Sequence, residues 1–128
     1  MNSKKTLVIT ALCFPPVLIG PAILMGNLFR HFPKGSYHVL TGRLDYSNWL
    51  PIDDDSKLPA QYTFTRYPRL NYRGNLFRRI RSFLHDIFAL FEVTAKGLKI
   101  IRKENINSIF AVADHYVEIA ALLMQWLT

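Results

Sequence analysis

From Thr6 to Cys13 the chain carries no charge, and it then runs straight into turn-forming residues: Phe14-Pro15-Pro16, with Gly20-Pro21 opening a second apolar segment. The run is about the length of a strand, rich in Val, Ile and Thr, and apolar at both alternations, as a central parallel strand must be. The prolines end it. Pro21 suits the first turn of a helix, where a missing N–H costs nothing. The stretch therefore reads as strand, tight turn, helix N-terminus. In α/β proteins that junction holds phosphate groups, because free backbone N–H groups and the positive end of the helix dipole point at the turn. Gly20 and Pro21 are the candidate ligand-binding turn.

The same start could pass for a targeting segment, since Lys4 and Lys5 precede it. Pro15-Pro16 and Pro21 break the run where a spanning helix needs continuity. No small-x-small cleavage site follows, and Leu12 stands where a lipoprotein signal wants a small residue before Cys13. Neither a signal peptide nor a membrane span is expected, and the expected location is the cytoplasm.

The periodicity continues as an alternating fold. Pro21 to Phe32 is predicted as a helix, with Ile23, Leu24, Leu28 and Phe32 on one face and Arg30 and His31 favourably placed at its end. Pro33-Lys34-Gly35 stops it, and Tyr37 to Thr41 is the second strand. Gly42 to Ala60 is a polar loop with Asp53-Asp54-Asp55. Adjacent carboxylates on an extended loop point in different directions, so a solvated turn is preferred to a metal site, and no metal is expected. Gln61 to Tyr67 is a short third strand.

Asn75 to about Glu104 is the longest helical pattern, carrying Leu76, Phe77, Ile80, Phe83, Leu84, Ile87, Phe88, Leu90 and Phe91 and again Leu98 and Ile101, with a kink expected at Gly97. Ile106 to Ala113 is a fourth strand, and Val117 to Leu127 a last helix. The implied fold is an open parallel Rossmann-like α/β sheet of about four strands in the order 3-2-1-4 with flanking helices, incomplete at its C-terminal end. Ligands bind outside the carboxyl ends of strands where the order reverses. That brings together the Phe14–Gly20 loop and the Ala113–Tyr116 loop, and with them Gly20, Asp114 and His115.

With 128 residues, half of them apolar, one domain with a real core is expected. The formal charge of +7 favours an anionic partner. A lone Cys13 excludes an internal disulfide and a multi-cysteine zinc site, and reads as a small buried hydrophobe.

The basic character is concentrated at Arg66, Arg69, Arg73, Arg78, Arg79 and Arg81, with no acid between them and with Tyr67, Tyr72, Phe77 and Phe83 interleaved. Three readings stay open: a solvated helix face, an anionic membrane surface, or RNA. The apolar stripe from Leu76 to Phe91 and the lack of any RNA-motif signature put membrane ahead of nucleic acid. Arg73, Arg78, Arg79 and Arg81 are the candidate anion contacts. Asp86 and Glu92 argue against a span.

Thr6-Leu-Val-Ile-Thr-Ala-Leu-Cys-Phe-Pro-Pro, the Gly20 turn, the helix through Asn27-Leu28-Phe29-Arg30-His31-Phe32 and the strand Tyr37-His-Val-Leu-Thr-Gly42 resemble the beginning of family 4 glycosyltransferases of the GT-B architecture. Gly97-Leu-Lys-Ile-Ile-Arg-Lys-Glu-Asn-Ile-Asn-Ser-Ile-Phe-Ala is similar to the helix and strand those enzymes carry next. The resemblance implies a second Rossmann-like domain that binds a nucleotide-sugar donor and is absent here, while the first domain holds a cell-envelope or lipid-linked glycan acceptor. Residues 1–128 are then the acceptor-side half of such an enzyme, inactive alone and needing no cofactor of their own.

Two departures stand out. The family has two glycines after the double proline, whereas Ile19 occupies the first of these positions, so the turn must differ or be strained. The family histidine after the fourth strand is matched in register by Ala113, with His115 two positions on. Asp114 and His115 are the catalytic candidates, and a helix cap and a helix-start residue are the preferred readings of each. The rival class is a non-enzymatic basic α/β module that binds membrane or RNA, or a subunit completed by a partner chain.

Overall fold

The computed structural model describes residues 4–11, 14–16, 18–42, 55, 57–66, 74–112 and 115–128. The elements run β1 (Thr6–Ile9), α1 (Gly20–Phe29), β2 (Tyr37–Gly42), β3 (Gln61–Thr65), α2 (Leu76–Glu104), β4 (Ser108–Ala111) and α3 (His115–Leu127). All four strands are parallel, in the order β3-β2-β1-β4. The fold is the open α/β Rossmann-like sheet that the alternation of elements implies.

Register sorts the side chains onto two faces. Val8 pairs with Val39 and Phe110, and Val39 with Tyr62. These residues, with Phe14, Phe29 and Tyr37, form the core beneath α1. Leu7, Ile9 and Leu40 point the other way and are buried with Ala89, Val93 and Ile100 of α2 and Val117, Ala120 and Met124 of α3. Both faces of β1 are therefore covered, which is why its sequence is apolar at every position rather than at alternate ones.

Several elements end short of the runs that predict them. β1 stops at Ile9, although Thr10 N–H still donates to Leu40 O of β2. α1 ends at Phe29 instead of Phe32, β3 at Thr65 instead of Tyr67, and β4 spans only Ser108–Ala111. α3 starts two residues earlier than its apolar pattern.

The helix faces differ more. α1 packs through Ala22, Gly26 and Phe29, while Ile23, Leu24, Leu28 and Phe32 are exposed. α1 is apolar nearly all round, and the close-packing side is the one with the small residues. α2 behaves alike: Ser82, Ala89, Val93, Gly97 and Ile100 are buried, and Leu76, Phe77, Ile80, Phe83, Leu84, Phe88 and Phe91 face outward. Gly97 does not interrupt α2. It lies against the buried Met124 of α3, whose sulfur would collide with any Cβ at position 97.

α2 is well punctuated. The Asn75 side chain accepts from Arg78 N–H at 3.2 Å, and Asn105 closes the helix at φ 52°, with Arg102 and Lys103 in the last turn.

Candidate functional site

In a parallel sheet the strands' carboxyl ends face one rim, and the connections leaving that rim decide where a crevice opens. After β1 the chain turns into α1 on one face; after β4 it enters α3 on the other. β1 and β4 are neighbours. The divergence of α1 and α3 above them is the switch point of the fold.

The turn from β1 to α1 is held from three sides. Phe14 is buried against Phe29 and Tyr62, with ring centroids 5.5 Å and 6.2 Å away. Tyr62 of β3 donates its hydroxyl to Pro15 O at 3.2 Å. Burial raises the Tyr62 phenol to about 12, so it remains a donor throughout the physiological range. Gly26 of α1 receives the Pro15 ring, and the peptide between Pro15 and Pro16 is cis.

Ile19 precedes the helix in an extended conformation, φ −118° and ψ 156°, with Pro21 in the first turn. Among the described residues only Gly35, Gly74 and Asn105 have positive φ. The turn thus differs from a double-glycine turn at this position: Ile19 is extended, not left-handed, and is accommodated without strain. Gly20 opens α1, and a Cβ at that position would meet none of the described residues within 4 Å. Space, not backbone conformation, is what glycine provides here. Among the described residues no side chain caps this end of α1 and no acid lies in its first turn; Pro21 has no N–H and Ile23 N–H donates to Ile19 O, which leaves the Gly20 and Ala22 N–H groups for an acceptor.

His115 is the first residue of α3, and Asp114 immediately precedes it. The backbone therefore puts position 115 at the second of the two diverging helix starts, as the topology predicts. Asp114 itself, the side chain of His115, and Cys13, Asp53, Asp54, Tyr67, Arg69, Tyr72 and Arg73 lie outside the described residues. Arg78, Arg79 and Arg81 are exposed on α2.

The remaining polar groups at this rim are engaged in holding the sheet. Thr41 and Thr65 are buried, and their hydroxyls donate to Ala11 O and Thr41 O. At the margin of β3, Glu92 of α2 accepts from Arg66 N–H at 3.2 Å, and Lys96 donates to Phe64 O at 2.7 Å while pairing with Glu92. Among the described residues at the rim, none offers a free general base. No group of three metal-ligating side chains occurs among the described residues either. The arrangement can hold an acceptor-rich ligand by backbone donors.

No family model, curated protein or solved structure matches the chain.

Two features lie outside what the sequence pattern signals. At the opposite rim, buried His38 of β2 sits between Glu104 Oε1, 2.8 Å from Nδ1, and Thr63 Oγ1, 2.7 Å from Nε2. A carboxylate only accepts, so Nδ1 donates to Glu104. Lys5 Nζ lies 3.9 Å from the other oxygen of Glu104. This cluster joins β1, β2, β3 and the end of α2, and is structural. Beside it, a shallow groove of about 200 Å³ runs between the end of α2, the start of β4 and the end of α3, lined by Ile101, Ile106, Asn107, Ser108, Ile109, Gln125 and Thr128. It is far from the switch point and borders the outer edge of β4.

Proposed function

We propose that the chain is the N-terminal, acceptor-side part of a glycosyltransferase of GT-B architecture, which moves a sugar from a nucleotide-sugar donor to a cell-envelope or lipid-linked glycan. The donor belongs to a second domain or partner chain, and residues 1–128 alone do not turn over. The setting is the cytoplasm, at the inner face of the membrane. The observation that carries this reading is the turn at Gly20: a bare helix start with open space in front of it, at the switch point of a parallel sheet. The residues that resemble family 4 enzymes surround that turn.

The test is a single substitution in a chain joined to its donor-binding half. Gly20→Val places an isopropyl group where a Cβ has room, so the fold should survive while transfer is lost. Unchanged transfer removes the turn from the site. Continuation of the coding sequence into a second α/β domain with a Glu-x7-Glu pattern supports the enzyme.

The second reading, a non-enzymatic basic α/β module, is supported by the exposed arginines of α2, Arg78, Arg79 and Arg81. It is selected if no neighbouring coding sequence supplies a donor-binding domain.

A further inference from the structure

α2 is too long for the sheet it covers. Its 29 residues span about 43 Å at 1.5 Å each, against roughly 20 Å for the longest strand, which has six residues. The register of the overhang is fixed by Glu92, which binds Arg66 N–H just past the end of β3. The turns of α2 ahead of Glu92 therefore run toward and past the carboxyl ends of the strands, on the side of the rim that holds the Gly20 turn, with Ala89 and Ser82 still buried.

The projecting half is amphipathic in the inverted sense. At about 100° per residue, Ser82, Ala89, Val93 and Ile100 fall within roughly 40° of one another, and these are buried. On the opposite side Phe77, Ile80, Phe83, Leu84, Phe88 and Phe91 form a stripe roughly 140° wide. All six are exposed, Phe77 to 73% and Phe91 to 69%. A patch of large apolar side chains on this scale is a contact surface, not an ordinary solvated face.

Charge identifies what it contacts. Arg81 follows Phe77 and Phe88 around one margin of the stripe, and Arg79 adjoins Phe83 on the other. Both arginines are exposed, and the one acid between Leu76 and Phe91, Asp86 on the Arg79 side, is largely buried and lies 3.8 Å from His85 Nδ1. An apolar stripe flanked by cations suits a helix lying in a membrane interface, rings among the acyl chains and guanidinium groups among anionic headgroups. A second copy laid stripe on stripe would bring the arginine margins together. RNA would call for arginines among the rings, not at the borders of the stripe. No helix of the described residues is long and apolar enough to cross a membrane, so the contact is in-plane.

We propose that the outward face of α2 between Leu76 and Phe91 seats the protein on an anionic bilayer, with Ile80, Phe83, Leu84 and Phe91 inserted and Arg79 and Arg81 on the headgroups. The proposal stands on α2 alone and does not need the transferase reading: loss of transfer with vesicle binding intact separates the two.

The experiment uses the full chain and vesicles of phosphatidylcholine with about one-third phosphatidylglycerol. Co-sedimentation is expected with these vesicles, not with pure phosphatidylcholine, and should weaken with salt. Arg79→Gln with Arg81→Gln should lower the partition constant about 30-fold. Phe83→Trp, at an exposed site, should give tryptophan emission that shifts to the blue and is quenched by brominated acyl chains on vesicle addition. Equal binding to neutral vesicles, an Arg-to-Gln pair that binds as well as the parent, or unshifted emission at position 83 overturns the proposal. So does emission already blue-shifted and concentration-dependent without lipid, which would make a second copy the occupant, or tighter binding to single-stranded RNA.

Discussion

Gly26 of α1 faces the ring of Pro15 so closely that a Cβ at position 26 would lie 2.9 Å from Pro15 Cγ. The contact ties the turn after β1 to the middle of the helix that follows it. Alanine improves helix propensity by about 1 kcal/mol, but the collision costs about 1–3 kcal/mol. Gly26→Ala is therefore expected to destabilise by about 1 kcal/mol net, read as a lower urea midpoint with unchanged slope. Pro15→Ala in the same chain should recover most of the loss, because the two sites are coupled. A Gly26→Ala protein more stable than the parent would show that the turn yields freely.

Glu104 and His38 are 66 residues apart and joined by a 2.8 Å contact in a largely buried cluster. Glu104→Ala removes the acceptor of a buried imidazole N–H, and a loss of about 1–3 kcal/mol is expected. Thermal unfolding measures it. Loss of vesicle binding without loss of stability would mean that the cluster does something other than brace the sheet.

His85 of α2 is held below the ordinary imidazole range, first by burial and then by the neighbouring Arg81 guanidinium. The folded state thus binds the proton less well than the unfolded chain, so this residue's contribution to stability rises with pH. It is complete above the unfolded value of about 6.5 and is lost progressively as pH falls from there toward the lower folded value. The difference in urea midpoint between the parent and His85→Gln should change between pH 7.5 and pH 5 in that direction. A difference independent of pH would remove His85 as the source.

Leu122 and Trp126 project from the outer side of α3, Trp126 with 83% of its surface exposed. They lie on the side of the molecule where β4 is the outermost strand. β4 has no charge and no proline to blunt it. The chain is expected to self-associate, with light-scattering mass rising with concentration, and Leu122→Lys with Trp126→Lys should reduce this. A stable monomer with a cooperative melt at high concentration would contradict it.

The topology was legible because it depends on coarse features: strands apolar at both alternations, turn-formers between them, and one long helical pattern. The helix faces were not. Large apolar residues read as core, yet α1 packs on Ala22 and Gly26 and α2 on Ser82, Ala89 and Gly97. Small residues allow close approach and leave no hydrophobic signal of their own. The Gly20 turn could be located from Pro15, Pro16 and Pro21, but its bracing by Tyr62 could not, because that contact crosses 47 positions of chain. Nor does anything in the sequence mark His38 for Glu104. Their pairing appears only once register brings β2 over the end of α2.

The two margins of the sheet are not equivalent. Register turns the amide and carbonyl of Phe64 and Arg66 outward from β3, and Lys96 and Glu92 occupy one group of each. On the far margin Ile109 and Ala111 turn the same groups outward from β4, and among the described residues no side chain occupies them. A strand joining beside β4, from this chain or another, would meet the outward groups of Ile109 and Ala111 directly and emerge next to the start of α3, whereas one joining beside β3 would first have to displace Lys96 from Phe64 and Glu92 from Arg66.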